Sequence, residues 1–347
     1  MIKLLNKSRL FISFFLILLF TFTIIFHSLS EEIGRYFNNN LVSQEDVSIK
    51  SQEKKRLFLE QRRNEALVMK LDKDTPLEKS KVSSVRHKGR WAVSYLEAKI
   101  IETFQKNLSP KIAYISYCFY LAFLFSLSFL LCMLSIEIIT KQKNFKSSLL
   151  CAAVFIFYLY PLNFQIQEHY SIREMLAISG CIYFSLKKNL GLYLIFAIYG
   201  VLNRETGLLL TLIYPLINYK KNLYFIPILI LPSVFILFNY DLILQKEFYN
   251  LDTWFVPPTI EARSIFGFYG VQYFYCLLRI IIYILPTLVL LFFTKSERNL
   301  NLLVFIFFVY FISLFLGTPI TNIYPYIILL PIMLLINSYA FKNIKGN

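Results

Sequence analysis

Charged residues are scarce in this 347-residue sequence: they make up 16% of the chain, whereas hydrophobic residues make up 57%. A soluble protein of this length needs a much larger polar fraction to cover its surface, so the composition excludes a soluble enzyme. The five cysteines lie within or at the edges of apolar segments and show no metal-ligand spacing. They therefore indicate neither a disulfide framework nor a zinc site.

Regular alternation of polar and apolar residues, which is typical of a transmembrane β-barrel, is also missing. The segment from Phe11 to Phe26, for example, does not alternate. The hydrophobic residues instead form blocks of roughly 15 to 25 residues separated by small charged groups, which is the pattern of transmembrane helices. No internal repeat or low-complexity segment is evident. The sequence predicts an all-α, polytopic helical bundle in a lipid bilayer.

Three regions are predicted along the chain. Residues 1–30 form a first transmembrane helix, residues 31–111 an extracytoplasmic loop, and residues 112–347 a transmembrane helical bundle. The first apolar run follows three basic residues but lacks a small-residue cleavage site, so we interpret it as an uncleaved span and not as a signal peptide.

Two helices are predicted within the long loop. A highly charged stretch at residues 51–71 is interpreted as a solvated helix. Further along, apolar residues recur at three- and four-residue spacing, which predicts an amphipathic helix on the outer surface. Its apolar positions are Val93, Leu96, Ile100, Phe104 and Leu108, and Glu97, Lys99, Glu102 and Lys106 are assigned to its other, solvated faces.

The net charge of +15 indicates orientation in the membrane and not binding to nucleic acid, because most lysines and arginines lie in loops. The basic short loops share the cytoplasmic side only if the segment from Gly191 to Tyr219 crosses and returns. With about 29 residues it is too short for two full crossings, so it is predicted to be a re-entrant pair of half-helices. A single tilted crossing is the alternative.

The complete topology has about eight spans plus the re-entrant pair, whose tip is formed by residues 203–207. Both termini lie in the cytoplasm, and the protein is assigned to the cytoplasmic membrane. Ionisable residues recur at the predicted outer side of this membrane. Near the centre of a bilayer each such residue costs about 2.5 to 3.5 kcal/mol, so these residues usually face a cavity or a partner.

We expect these residues to converge on one outward-facing polar site. The expected members are Glu31, Glu32, Glu168, His169, Arg173, Glu174, Arg204, Glu205 and Arg279. Carboxylates can accept a proton from a hydroxyl group or bind a divalent cation, and arginines can bind phosphate oxygens through two parallel hydrogen bonds. Such a site suits transfer from a phosphate-linked lipid donor.

Other interpretations of the same residues stay open. Glu31 and Glu32 can be solvated residues past a helix end, Arg173 with Glu174 can be snorkelling residues at a helix start, and Arg279 can be a structural or lipid-headgroup partner. Arg204 and Glu205 can form an ion pair with each other. No cofactor is required by the sequence, although Mg²⁺ or Mn²⁺ is kept as a candidate, with Glu31, Glu32, Glu168 and His169 as its candidate ligands.

Several segments resemble the bacterial GT-C superfamily of membrane glycosyltransferases. The resemblance rests on Ser30-Glu31-Glu32 directly after the first span, on the long outer loop with amphipathic helices, and on the break Leu202-Asn203-Arg204-Glu205-Thr206-Gly207-Leu208. It implies an inverting glycosyltransferase of cell-surface glycan assembly that uses a polyprenyl-phosphate-linked sugar donor and a glycan or lipid-linked acceptor.

The resemblance also implies roles for individual residues. Glu31 or Glu32 would be the general base, although an aspartate is commoner at that position in the family. Arg204 would lie beside the donor phosphate, oriented by Asn203 and Glu205. Arg173, Glu174 and Arg279 are further substrate-binding candidates.

Two alternative functions are retained. The segment Ser171-Ile172-Arg173-Glu174-Met175-Leu176-Ala177 is similar to membrane polymerases of exopolysaccharide and O-antigen chains, which usually lack a large loop after the first span. A flippase or transporter of lipid-linked sugars would share the buried charges. Transporters, however, often show two related halves, and no such symmetry is evident here.

Overall fold

The computed structural model describes residues 2–40, 51–72, 90–141, 169–219, 223–240, 270–292, 297–317 and 324–345, together with a few isolated positions between these ranges. All regular structure in this part of the chain is helical, which confirms the predicted all-α class. Three helices contain segments long and apolar enough to cross a membrane, at Ser8–Ser30, Pro110–Thr140 and Phe274–Phe292. These segments indicate a membrane protein, and the number of eight spans stays a prediction.

The described residues form eleven α-helices and two 3₁₀ segments. The α-helices are α1 (Ile2–Asn40), α2 (Ser51–Asp72), α3 (Trp91–Asn107), α4 (Pro110–Thr140), α5 (His169–Leu186), α6 (Leu190–Asn203), α7 (Ile213–Asn218), α8 (Ile226–Phe238), α9 (Gly270–Phe292), α10 (Arg298–Gly317) and α11 (Leu330–Lys345). The 3₁₀ segments are Glu205–Leu212, between α6 and α7, and Tyr324–Leu329, before α11. The two helices predicted in the loop are present as α2 and α3, and the predicted boundary after residue 30 lies inside α1.

Helices α1 and α4 pack antiparallel along their whole length. Near one end, the hydroxyl groups of Ser30 and Tyr114 are 3.2 Å apart. At the other end, Nη2 of Arg9 donates hydrogen bonds of 3.0 Å to both carboxylate oxygens of Glu137. Polar pairs at both ends fix the register of the two helices, because a shift would leave polar groups of low exposure without their partners.

Helix α5 runs parallel to α4 and is buried over most of its length. The buried hydroxyl groups of Ser128 on α4 and Ser179 on α5 are 2.6 Å apart. The first turns of both helices therefore lie at the same end of the bundle, which we call the N-terminal end of α4. The second 3₁₀ segment and the start of α11 form the centre, since every residue from Pro325 to Asn337 is buried, and α11 contacts α4, α5, α9 and α10.

Helix α6 and the segment that follows it form a hairpin along α5. At the end of α6, Nδ2 of Asn203 donates a hydrogen bond of 2.9 Å to the carbonyl oxygen of Tyr170, in the first turn of α5. The chain reverses at Arg204, whose backbone is extended. It returns through the 3₁₀ segment and α7 until Nδ2 of Asn218 donates a hydrogen bond of 2.9 Å to the carbonyl oxygen of Ser185. The turn of the hairpin therefore lies at the N-terminal end of α4.

Close packing between the two arms of this hairpin depends on Gly207. A Cβ atom at this position would lie 2.6 Å from the backbone nitrogen of Val201 and closer still to the carbonyl group of Gly200. Because backbone atoms cannot rotate away, we expect Gly207→Ala to destabilise the fold by about 1–3 kcal/mol. The measurement is the temperature at which the purified, detergent-solubilised protein loses its monodisperse peak on size exclusion.

Gly191→Ala is the matched control, because it makes the same change in the hairpin, near the start of α6 and far from the turn. There the nearest atom to the new Cβ would be Oδ1 of Asn189, at 3.7 Å, which is an ordinary contact. We expect this variant to keep the parental midpoint or to raise it slightly, since alanine favours a helix more than glycine does. Equal midpoints for the two variants would show that the arms of the hairpin are not in close contact.

Candidate functional site

Charged side chains from α2, from α3 and the residue before it, from α5 and from the hairpin turn meet at the N-terminal end of α4. We call this group the charge cluster. Its members are Arg62, Arg90, Glu97, His169, Arg173, Glu174, Arg204 and Glu205. Six of them are buried, and the other two, Arg62 and Glu205, are partly buried. Burial of so many ionisable groups requires that they pair with one another or with a ligand.

Glu97, which is only 4% exposed, holds one half of the charge cluster together. Its Oε1 accepts a hydrogen bond of 2.8 Å from the hydroxyl of Tyr117, and its Oε2 lies 3.0 Å from Nη2 of Arg173 and 3.6 Å from Nε2 of His169. Nη1 of Arg62 lies 3.3 Å from Nδ1 of His169. Because a guanidinium group can only donate, Nδ1 accepts and the proton of this neutral ring lies on Nε2, facing Glu97.

Glu97 was predicted to lie on a face of α3 other than the apolar one, and this prediction was wrong because the structure buries it. The buried residues of this helix are Val93, Ser94, Glu97, Ala98 and Ile101. Leu96, which was assigned to the apolar face, is 59% exposed. The signal was present in the sequence, because Glu97 lies four residues from both Val93 and Ile101 and so shares their face. A carboxylate within an apolar face indicates a buried partner.

The other half of the charge cluster surrounds the hairpin turn. Fully buried Glu174 accepts a hydrogen bond from the hydroxyl of Thr206 at Oε1, and its Oε2 lies 3.7 Å from Nη1 of Arg204. Glu205 pairs with Arg90, with an Nη2 to Oε1 distance of 2.9 Å and an Nε to Oε2 distance of 3.3 Å. The ion pairs of the neighbouring Arg204 and Glu205 are thus with residues on other elements, which differs from the mutual ion pair considered from the sequence.

The ring of Tyr170 lies close to two arginines of the charge cluster. The guanidinium carbons of Arg173 and Arg90 are 5.0 Å and 5.3 Å from its centroid, within the range of cation–π attraction. The backbone carbonyl of the same tyrosine accepts the hydrogen bond from Asn203. The described contact of Asn203 therefore fixes the hairpin turn against α5, whereas the family resemblance implied that Asn203 orients Arg204.

Two guanidinium groups retain hydrogen-bond donors that no described residue uses. Nε of Arg173 donates to the carbonyl oxygen of His169 at 3.3 Å, but among the described residues Nη1 and Nη2 have no hydrogen-bond acceptor. Glu97 lies at ion-pair distance from Nη2, yet the N–H bonds are not directed at its oxygen. Within the same ranges, Nε and Nη1 of Arg204 and Oε2 of Glu174 also lack a hydrogen-bond partner.

The unused donors indicate the kind of ligand that fits. Glu97 and Glu174 lie at ion-pair distance from Arg173 and Arg204, yet four guanidinium nitrogens of these two arginines have no hydrogen-bond acceptor among the described residues. A buried charged donor without an acceptor costs at least about 1–3 kcal/mol. An anionic group with several oxygen atoms would supply acceptors for these unused donors.

Glu31 and Glu32 lie on a turn of α1 at the same end of the bundle as the charge cluster. The preceding residue, Ser30, is 3.2 Å from the hydroxyl of Tyr114, one helical turn before the tyrosine that binds Glu97. The side chains of Glu31 and Glu32 lie outside the described part of the structure. Their assignment as bases stays a prediction.

The remaining predicted site residues fall outside the charge cluster. Arg279 lies on α9, with its guanidinium carbon 5.5 Å from the ring centroid of Tyr275, and the ion pairs above do not include it. Glu168, the candidate metal ligand next to His169, lies outside the described residues. In the described ranges, no three histidine, cysteine or carboxylate side chains are grouped to hold a metal ion, so the divalent cation stays a prediction.

Comparison of the chain with protein-family models, with curated proteins and with solved structures gives no match.

Proposed function

We propose that this chain is an integral membrane glycosyltransferase that moves a sugar from a polyprenyl-phosphate-linked donor to a glycan or lipid-linked acceptor. The proposal is carried by one observation, the buried charge cluster in which Arg173 and Arg204 have donors that no described residue uses. A phosphate group supplies the acceptor oxygens that these donors lack, and one arginine can bind two of them in parallel. The apolar helices around the charge cluster suit a donor with a lipid carrier.

In this proposal the bundle has about eight spans in the cytoplasmic membrane, with both termini in the cytoplasm. The hairpin is a re-entrant pair inserted from the cytoplasmic side, because α6 with its 14 residues measures only about 21 Å against a hydrocarbon core of about 30 Å. Exposed Lys187 and Lys188, which follow α5, then lie on the cytoplasmic side, as the distribution of positive charge favours. The charge cluster faces the outer side.

The chemistry requires one base and one phosphate site. The carboxylate of Glu31 or Glu32 takes the proton of the acceptor hydroxyl, and the oxygen attacks the anomeric carbon from the face opposite the phosphate. The bond between that carbon and the phosphate oxygen breaks, and its electron pair stays with the departing polyprenyl phosphate. Arg173 and Arg204 stabilise the charge of this leaving group, and Mg²⁺ or Mn²⁺ held by carboxylates would add to that stabilisation.

Replacement of Arg204 tests the phosphate site. We expect Arg204→Gln to lower glycosyl transfer by about 10²- to 10³-fold, the usual loss when one donor to a developing negative charge is removed. Arg204→Lys should recover only part of this loss, because an ammonium keeps the charge without the planar pair of donors. The measurement is the release of polyprenyl phosphate from a panel of polyprenyl-phosphate-linked hexoses by the purified protein in lipid nanodiscs.

Arg56→Gln is the matched control, since Arg56 is an exposed arginine on α2 that pairs with Glu53 and Glu60. We expect its activity to equal that of the parent protein. Glu31→Gln and Glu32→Gln, made separately, identify the base, because only replacement of the residue that acts as the base should abolish transfer. Full activity in Arg204→Gln and in both of these variants would contradict the assigned site.

The same preparation separates the alternative functions. A flippase would move the labelled donor across the bilayer without releasing polyprenyl phosphate. A polymerase would extend a lipid-linked chain by many units, whereas the proposed transferase adds one sugar for each phosphate released. The length of the product and the fate of the donor therefore identify the reaction class.

A further inference from the structure

Helices α2 and α3 are joined to the rest of the charge cluster by ionisable groups. We call α2 and α3, with Arg90 at the start of α3, the lid helices. Each of three polar contacts pairs a charged residue of the lid helices with a residue of α5 or of the hairpin turn. These contacts are Arg62 with His169, Glu97 with Arg173, and Arg90 with Glu205.

Glu97 compensates the charge of Arg173 but not its hydrogen-bonding capacity. The carboxylate is shared, because Oε1 accepts the hydrogen bond from Tyr117 while Oε2 lies near both Arg173 and His169. Among the described residues, Nη1 and Nη2 of Arg173 still have no directed acceptor. A phosphate, which can present two oxygens to one guanidinium group, suits Arg173 better than this carboxylate does.

If Glu97 moved away from Arg173, the carboxylate of Glu97 would still have a hydrogen-bond donor. The hydroxyl of Tyr117, on α4, donates at 2.8 Å to Oε1, which is not the oxygen that faces Arg173, so this hydrogen bond can be kept when α3 moves away from α5. A cleft of about 310 Å³ also lies where α2, α3 and the first turn of α4 meet, so the lid helices are not tightly packed at this end of their contact with α4. Both features allow α3 to shift relative to α5.

We infer that Glu97 occupies the anion position of Arg173 when no donor is bound, and that the phosphate of the lipid donor displaces it as α3 moves away from α5. The inference deepens the proposed function, on which it rests for the phosphate class of the ligand. Glu97 thus competes with the substrate for one arginine, and the charge cluster is closed until a lipid phosphate arrives. Its removal should strengthen binding, whereas removal of a residue that contacts the phosphate should weaken it.

Glu97→Gln tests this competition, because glutamine keeps the size of the side chain and an acceptor for Tyr117 but removes the charge that opposes the phosphate. We expect radiolabelled polyprenyl phosphate to bind the variant about tenfold more tightly than the parent protein, measured by equilibrium binding to the full-length protein in nanodiscs. Backbone amides of α3 should exchange hydrogen for deuterium faster in the variant without ligand, and in the parent only after polyprenyl phosphate is added.

Glu102→Gln is the matched control, since it makes the same substitution on the exposed face of the same helix. Hydrogen bonds from Lys106 and Lys99 lower the pKa of Glu102 to about 2, so it is charged at any assay pH and its loss changes net charge equally. We expect unchanged binding. Should Glu97→Gln fold poorly, Glu97→Asp, whose shorter side chain draws back from Arg173, should give an intermediate gain.

Binding that is equal or weaker in both Glu97 variants would overturn the inference and make Glu97 a structural partner of Arg173. The experiments distinguish failure of this inference from failure of the proposed function. Tighter binding without sugar transfer by the parent protein would refute the transferase and leave the competition standing. Sugar transfer by the parent protein together with unchanged binding in the Glu97 variants would support the transferase and refute the competition between Glu97 and the phosphate.

Discussion

Arg173→Met is expected to destabilise the folded protein by about 3–5 kcal/mol, because removal of one partner leaves the other as an uncompensated buried charge. Arg173 is fully buried and Glu97 nearly so. Methionine replaces most of the volume of the arginine, so loss of packing contributes little. The free energy of unfolding is to be measured by titration with sodium dodecyl sulfate, followed by helical circular dichroism.

The control for Arg173→Met is a double-mutant cycle with Glu97→Gln. Since the double variant carries neither charge, it should be more stable than the sum of the two single effects predicts, by about 1–3 kcal/mol. Additive effects would mean that Glu97 and Arg173 do not interact in the folded protein, and the lid helices would then be held by other contacts.

Charge reversal at Arg90 should be at least as damaging. Arg90→Glu would place two carboxylates at the positions now joined over 2.9 Å, where the side chains are only 6% and 14% exposed. Two like charges at about 4 Å repel by about 4 kcal/mol at an effective dielectric constant of 20. We expect the single variant to lose most of its monodisperse yield and the double variant Arg90→Glu with Glu205→Arg to regain it, as measured by size exclusion after purification.

Charge reversal at an exposed position of α3 is the control, because it shows how much of the effect at Arg90 is due to burial. Lys99→Glu disrupts the contact with Glu102 on the exposed face of α3, and it should change stability by no more than about 0.5 kcal/mol. If the Arg90 and Glu205 double variant gave no higher yield than Arg90→Glu alone, the two residues would not be partners. In that case the ion pair between Arg90 and Glu205 would not hold the lid helices against the hairpin turn.

The helices were largely predictable from the sequence because their signals are local. Apolar blocks located α4 and the start of α9, and three- and four-residue spacing located α3. The continuation of α1 to Asn40 was not predictable from hydropathy, since residues 31–40 are mostly polar. Ile33 in this stretch is nevertheless buried, so packing against neighbouring helices stabilises the extension. A short polar segment that is helical because of such tertiary contacts does not show the three- and four-residue spacing of apolar residues by which a helix is recognised in a sequence.

The charge cluster was predictable only in part. His169, Arg173, Glu174, Arg204 and Glu205 were expected in one site, and the structure brings all five into the charge cluster. Their partners from the lid helices were not expected, because Glu97 lies 76 positions before Arg173 and Arg90 lies 115 positions before Glu205. Ion pairs between distant segments depend on tertiary folding, and a single sequence carries no record of which carboxylate meets which arginine.

The burial of α11 has a consequence for biosynthesis. The stretch from Pro325 to Asn337 occupies the axis of the protein, although a ribosome makes it after all the other described helices. Earlier segments can insert one by one, yet the space among them stays unfilled until translation has passed residue 337. Newly made chains therefore spend most of their synthesis with an open interior, which makes them dependent on the surrounding lipid or on chaperones during that time.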